Sequence, residues 1–165
     1  MGNNLENLAA AFAGESQASR KYWYWAKKAD DEGFPQVAKL FRAASFAETV
    51  HANNHLKAMG GIQSTAENLK AAVAGEHYEV VSMYPEFIQD AEAEQNKKAL
   101  NSFKWAFEAE KVHEQLYKAA LESLGSDNTL EDYYVCPVCG HTHRGFAPDK
   151  CPVCATPGSR FERIS

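Results

Sequence analysis

The sequence predicts an all-α four-helix bundle over residues 1–130, followed by a small metal-knuckle domain of mostly β and loop structure over residues 131–165. Three observations carry this reading. Long segments with apolar residues every three or four positions are bounded by conventional helix stops. A residue pattern in the first helical half recurs in the second. All four cysteines and four of the six prolines fall in the final segment, which is formally neutral with four basic and four acidic side chains.

The elements follow in order. Asn4 is a good N-cap for a first helix, which runs to the break at Gly33-Phe34-Pro35. Pro35 suits the first turn of a second helix, ending at Gly60-Gly61. Ser64-x-x-Glu67 reads as a capping box opening a third helix, which continues to about Glu94 with a kink at Pro85. A polar turn at Gln95-Asn96 leads to a fourth helix that stops at Gly125. The boundary between the two parts is expected within residues 125–130.

Composition excludes several functions. The net charge is −5, from 17 basic and 22 acidic residues, and no basic cluster offers a face for nucleic acid or an anionic membrane. No apolar run approaches the ~18 residues of a spanning helix. The start, Met1 to Glu6, lacks a basic region followed by an apolar core, so no signal peptide is read and a cytoplasmic location is expected.

Each helix carries ionisable groups in the middle of its apolar seam. The first seam runs Leu5, Leu8, Phe12, Glu15, Ser19, Tyr22, Ala26, Ala29, and the second Val37, Phe41, Ala44, Glu48, His51, His55. The third runs Leu69, Ala72, Glu76, Glu79, Met83, and the fourth Phe103, Ala106, Glu110, His113, Tyr117, Leu124. A buried carboxylate without a cation is costly, so a seam holding several requires one. Ala11-Phe12-Ala13-Gly14-Glu15 repeats as Ala72-Val73-Ala74-Gly75-Glu76 at an offset of 61. Ala47-Glu48-Thr49-Val50-His51 repeats as Ala109-Glu110-Lys111-Val112-His113 at an offset of 62.

In Glu48-x-x-His51 and Glu110-x-x-His113 the two side chains lie one turn apart on one face and reach the same ion. Glu48 and Glu110 are placed to bridge two metals, with Glu15, Glu76 and the imidazoles as terminal ligands. One glutamate from each of two helices and Glu-x-x-His from each of the other two is the ligand pattern of di-iron and di-manganese carboxylate bundles. Oxygen and nitrogen donors favour iron or manganese over zinc. Glu79 breaks the repeat, since its counterpart is Ala18. It reads either as a surface glutamate one turn from the site or as a carboxylate that binds one iron in one oxidation state only, in competition with His51. Tyr22 shares the seam with Glu15, so its hydroxyl can bond a ligand carboxylate. His55 reads as a core group, His77 as pointing off the seam, and His141 and His143 as solvated loop residues. Glu92, Glu94 and Glu108 read as exposed charge, and the rest of the Tyr22–Trp25 run as packing. The five seam carboxylates equal the net charge, so without them acids and bases balance.

In the tail, Cys136-Pro137-Val138-Cys139 and Cys151-Pro152-Val153-Cys154 are paired knuckles with eleven residues between the inner cysteines. Such thiolates form a tetrahedral site for zinc or a single iron.

The whole chain resembles rubrerythrin, a ferritin-like di-iron bundle followed by a rubredoxin-like domain. The resemblance rests on residues 12–18, both Glu-x-x-His motifs, Gly75-Glu76-His77-Tyr78-Glu79, Met83-Tyr84-Pro85 and both knuckles. Ala155 departs from the glycine usual after a knuckle. The family implies one iron on Glu15, Glu48, Glu110 and either Glu79 (oxidised) or His51 (reduced), and a second on Glu76, Glu48, Glu110 and His113. Tyr22 and Tyr84 match tyrosines that hydrogen-bond the glutamates. Cys136, Cys139, Cys151 and Cys154 would hold one iron, with zinc possible in isolated protein, that feeds electrons to the bundle. The implied activity is reduction of hydrogen peroxide to water, with a rubredoxin or an NAD(P)H-dependent reductase upstream. The helix from His113 to Leu124 already spans roughly 16 Å. The tail of one chain is therefore expected far from its own bundle site, with electrons crossing a head-to-tail homodimer. Iron storage and a zinc-bearing binding module are the alternatives; a storage cage needs no rubredoxin-like electron input.

Overall fold

The computed structural model describes residues 3–126 and 129–165. Asp127 and Asn128 of the expected boundary, and Met1 and Gly2 of the start, lie outside the described residues. Two compact units divide the chain, Met1–Gln63 and Ser64–Ser165.

The first unit is a hairpin of α1 (Asn4–Asp31) and α2 (Pro35–Ala58). Asn3, one residue before the expected cap, closes α1 by accepting from the Leu5 amide. Gly33, at φ +81°, turns the chain into Pro35, the first residue of α2. The faces between the helices are built of small residues: Ser19, Ala26 and Ala29 on α1, Ala38, Ser45 and Ala52 on α2. Without long side chains between them, the backbones come close enough for the Ser45 hydroxyl to donate to the Ser19 carbonyl at 2.9 Å. Ser19 and Thr49 join through their hydroxyls at 2.8 Å.

The second unit opens at Ser64, which caps α3 (Thr65–Tyr78) by accepting from the Glu67 amide at 3.3 Å. The expected single kinked helix is instead three segments: α3, a π-helical turn at Glu79–Met83, and α4 (Tyr84–Ala93). The reason lies in the repeat. Tyr22 follows Glu15 by seven positions, whereas Tyr84 follows Glu76 by eight. One extra residue in a continuous helix is absorbed as a π-bulge, whose wider turn bonds i to i+5. The Tyr84 amide accordingly donates to the Glu79 carbonyl. Pro85, which has no amide hydrogen for the ordinary helical bond, follows at once. After Gln95, in left-handed conformation at φ 54°, Asn96 caps α5 (Lys97–Glu122).

The tail is a three-stranded antiparallel sheet in the order β2 (Thr142–Arg144), β1 (Tyr133–Val135), β3 (Glu162–Ile164), with Tyr134 opposite both His143 and Arg163. Its core is Cys136, Cys139 and Cys151 with Val153, Cys154 and Phe161 packed on them. So few apolar side chains make a weak core, which a metal on the four sulfurs would reinforce.

Ala38 is fully buried between the hairpin helices (0% exposed), whereas Leu40 is 67% exposed. Ala38→Leu is expected to lower stability by about 1–3 kcal/mol through overpacking. Leu40→Ala should shift it by less than about 0.5 kcal/mol. Denaturant melts followed by helical circular dichroism distinguish the two.

Candidate metal centres

The first hairpin brings together Glu15 from α1 and Glu48 and His51 from α2, with one ligand atom of each within 4.8 Å of the others. His51 Nδ1 is 2.8 Å from Glu48 Oε2 and 4.0 Å from Glu15 Oε1. The Ser19, Ser45 and Thr49 hydrogen bonds lie one turn away and hold the register that sets Glu15 opposite Glu48.

The second unit builds the same triad from Glu76 on α3 and Glu110 and His113 on α5, again within 4.8 Å. Here too the imidazole presents Nδ1 to its glutamate, Glu110 Oε2. Away from the triad, His77 and Lys118 bond the buried Glu114 at 2.8 Å and 2.6 Å, pinning α3 to α5. His77 thus points off the site, as its place on the helix requires.

The electrostatics of this triad are those of a partly buried acidic cluster. Burial, then a hydrogen bond and charge from Glu110, push the Glu76 carboxyl up to about 7. Burial works the same way on Glu110, but the hydrogen bond and charge of His113 outweigh it and hold Glu110 below its ordinary value. His113 is raised, chiefly by its hydrogen bond to Glu110. Glu79, the first residue of the π turn, is raised by burial and by the charge of Glu110. It feels the cluster but is not one of the three residues whose ligand atoms meet. Tyr84 is pushed up to about 12 by burial and by Glu79, Glu110 and Glu76, and its ring packs on Phe87 and Phe103. Tyr22 packs on Trp25 and Phe41. Among the described residues, the ion-pair partners of the five seam carboxylates are imidazoles, with no lysine or arginine. This donor set suits a hard or borderline divalent metal such as iron or manganese.

In the tail, all four cysteines are free thiols whose sulfurs meet within 4.8 Å. The Cys136–Cys154 and Cys139–Cys151 sulfurs are 3.5 Å and 3.4 Å apart. That is far beyond a disulfide and near the about 3.8 Å edge of a tetrahedron with ~2.3 Å metal–sulfur bonds. Each knuckle turn is closed by paired backbone bonds: Gly140 N to Cys136 O and Cys136 N to His141 O, then Ala155 N to Cys151 O and Cys151 N to Thr156 O. Gly140 adopts φ +80° and Ala155 adopts φ +60°. The alanine therefore keeps the turn at the cost of about 1–2 kcal/mol for a left-handed non-glycine residue. Burial tends to raise the Cys154 thiol, but hydrogen bonds from the Thr156 side chain and backbone and from neighbouring thiols bring it down to about 6. Cys139 is raised by burial.

Two expectations are corrected. His141 is not solvated: it is 6% exposed, and among the described residues neither ring nitrogen has a hydrogen-bond partner. His143 is half-buried, its Nδ1 donating to the Arg144 carbonyl and its ring 4.4 Å from that of Phe146. Nor is the tail far from its own α5. Thr142 Oγ1 lies 2.9 Å from His113 Nε2, and a Cβ on Gly140 would stand 4.0 Å from the Ala109 Cβ. Helix length alone suggested separation, but the chain doubles back after α5 and returns the first knuckle to the middle of that helix. Of the other candidates, His55 is half-buried, and Glu92 and Glu108 are exposed and paired with Lys104 and Lys111.

Comparison with known proteins agrees with this layout. A family model described as rubrerythrin matches residues 6–121, and a second, the rubredoxin-like domain of rubrerythrin, matches residues 134–162. Nigerythrin of Nitratidesulfovibrio vulgaris is 36% identical over 175 residues, covering 98% of this chain and 86% of that protein. The rubrerythrin of Porphyromonas gingivalis is 37% identical over 175 residues, covering 95% and 88%. The structure of fully reduced, all-ferrous nigerythrin aligns with a TM-score of 0.60 at 35% identity, covering 99% of this chain and 88% of that one. These likenesses establish the expected fold class, a ferritin-like bundle followed by a rubredoxin-like tail.

Folded, metal-free protein keeps the Glu76 proton to about pH 7, whereas the unfolded chain releases it near 4.5. Between those values the folded state binds more protons, so this group makes stability fall as pH rises. Glu76→Gln should remove that part of the slope in melts of apoprotein from pH 4.5 to 8. In the unsubstituted protein, metal uptake should release a proton below pH 7 and tighten as pH rises. A pH slope equal in the two proteins would show that Glu76 ionises normally.

Proposed function

Because the chain belongs to the rubrerythrin family, di-iron proteins of oxidative-stress defence, we propose that it is a non-haem di-iron peroxidase that reduces hydrogen peroxide to water. The observation that carries this reading is the repeated triad. Glu15, Glu48 and His51 in one hairpin and Glu76, Glu110 and His113 in the other each converge on one point, beside a separate four-sulfur site.

In this reading Glu15, Glu48 and His51, and Glu76, Glu110 and His113, would hold two irons, with Glu48 and Glu110 as the shared carboxylates and Glu79 as a carboxylate that would stand in for His51 at one of them. The irons, when bound, supply the two electrons that cleave the O–O bond. Conversion of one peroxide to two waters also consumes two protons, and those fall to the protein. Glu76 holds a proton up to about pH 7 in the metal-free site, and Tyr84 keeps its phenol proton until about 12. Tyr84 would serve as a hydrogen-bond donor to the ligand carboxylates, and Tyr22 would take the same part on the first hairpin. Cys136, Cys139, Cys151 and Cys154 hold the iron that admits electrons singly from a rubredoxin or an NAD(P)H-dependent reductase. The contact of the first knuckle with α5 supports a short electron path inside one chain. The protein works in the cytoplasm as a homodimer in this reading.

Iron-loaded protein should be red from ferric thiolate and bleach on reduction. Reduced protein should recolour faster with hydrogen peroxide than with oxygen, measured by anaerobic stopped flow. Equal rates would remove the basis for a peroxidase. Glu79→Ala should retain two bundle irons yet turn over peroxide about tenfold or more slowly. Unchanged kinetics would reduce Glu79 to a partly buried charge with no part in the reaction.

A further inference from the structure

The two seam imidazoles are held differently. His51 is bonded through Nδ1 to Glu48, and among the described residues no other hydrogen bond fixes its ring. His113 is held at both nitrogens, by Glu110 at Nδ1 and by Thr142 at Nε2. The second hold comes from the tail, three positions after Cys139.

Donor and acceptor accounting gives this contact a direction. The Thr142 hydroxyl has one proton, and it donates that proton to the Gly140 carbonyl at 3.2 Å. A carbonyl can only accept. With the hydroxyl proton on that carbonyl, the same oxygen is free to accept from Nε2–H of His113, the arrangement required whenever Nδ1 is a ligand. The Gly140 carbonyl also lies within reach of the imidazole as an acceptor, which favours the same tautomer. Nδ1 is hydrogen-bonded to the carboxylate of Glu110 beside Glu76, and a cation that takes the place of the Nδ1 proton would meet both carboxylates and the imidazole, while Nε2–H stays on the tail. Metal-bound histidines commonly donate their other N–H to a fixed acceptor, which sets the ring orientation and raises basicity at the ligating nitrogen.

We propose that Thr142 is a positioning residue for the bundle. By accepting the Nε2 proton of His113 it presents Nδ1 to the metal, so the tail completes the ligand geometry of the second triad as well as carrying its own metal. The proposal rests on the reading of His113 as a ligand. It also accounts for which imidazole is free to exchange: a ring held at both ends stays, and His51, held at one, can leave.

The test uses the full-length chain loaded with zinc, which is diamagnetic, as Thr142→Val, Thr142→Ser and the unsubstituted protein. Nitrogen-15 correlation spectra of the histidine rings report which nitrogen carries the proton and which the metal. Chelator competition reports affinity at the bundle and at the four cysteines separately. Unsubstituted protein and Thr142→Ser should show His113 zinc-bound at Nδ1 with a slowly exchanging Nε2–H. In Thr142→Val that proton should exchange rapidly and bundle affinity should fall about 10–100-fold, while the four-cysteine site is unchanged. Valine suits a strand position, and an unchanged four-cysteine affinity shows that the tail is folded. Thr142→Val with the original ring spectrum and affinity overturns the role of Thr142 alone, as does Thr142→Ser behaving like Thr142→Val. If zinc in the unsubstituted protein does not bind His113 Nδ1, the ligand reading fails, and the proposal with it.

Discussion

The constraint on which the structure depends is a set of carboxylates on helix seams, three of which pair with imidazoles and none, among the described residues, with a lysine or arginine. Glu15 and Glu48 meet over His51, and Glu76 and Glu110 meet over His113. In the second cluster burial and the neighbouring Glu110 push Glu76 up to about 7 and raise Glu79, so a metal-free site holds protons there. A divalent cation replaces those protons and turns repulsion into cohesion. Stability and chemistry at these positions are therefore the same problem, and the acidic net charge of the chain equals the charge of its ligands.

The helices are built to deliver those ligands. In the first hairpin, Ala and Ser faces bring two backbones close, and a short ladder of hydroxyls sets their register one turn from the carboxylates. The second hairpin achieves the same with a different device, a buried glutamate clamped by His77 and Lys118. It also departs from the first by one residue. The π turn at Glu79–Met83 absorbs that residue, and Glu79, absent from the other half, opens it. An insertion that would shift every later side chain by about 100° is confined to one wide turn, so Tyr84 still faces the carboxylates that raise it.

The tail has few apolar residues and gathers four cysteine sulfurs at its centre, the arrangement of a domain that a metal would hold together. Two knuckles with matching backbone hydrogen bonds converge four sulfurs, and Ala155 takes the left-handed turn that glycine takes at Gly140. The loop that carries the first knuckle lies on α5, so one residue, Thr142, belongs by sequence to the tail and by contact to the bundle site. His141, in the same loop, is buried as well.

Local features of the chain determined most of this. Helix stops, caps and prolines act over a few residues, so the limits of α1, α2 and α5 were readable to within a few positions. The triads were readable because i, i+3 spacing places a glutamate and a histidine on one face wherever the helix goes. The cysteine knuckles are equally local. The π turn was encoded as well, in the change of repeat offset from 61 to 62, but as a discrepancy between halves rather than a motif. What only the tertiary structure decided is where the chain goes once regular spacing ends. A turn after α5 can send the tail outward or back along the helix with the same composition, and the choice is made by contacts between residues far apart in sequence. That return buries His141, places Thr142 on His113 and gives the two otherwise equivalent imidazoles different surroundings. No periodicity within either segment contains that information, because it resides in the pairing of the segments.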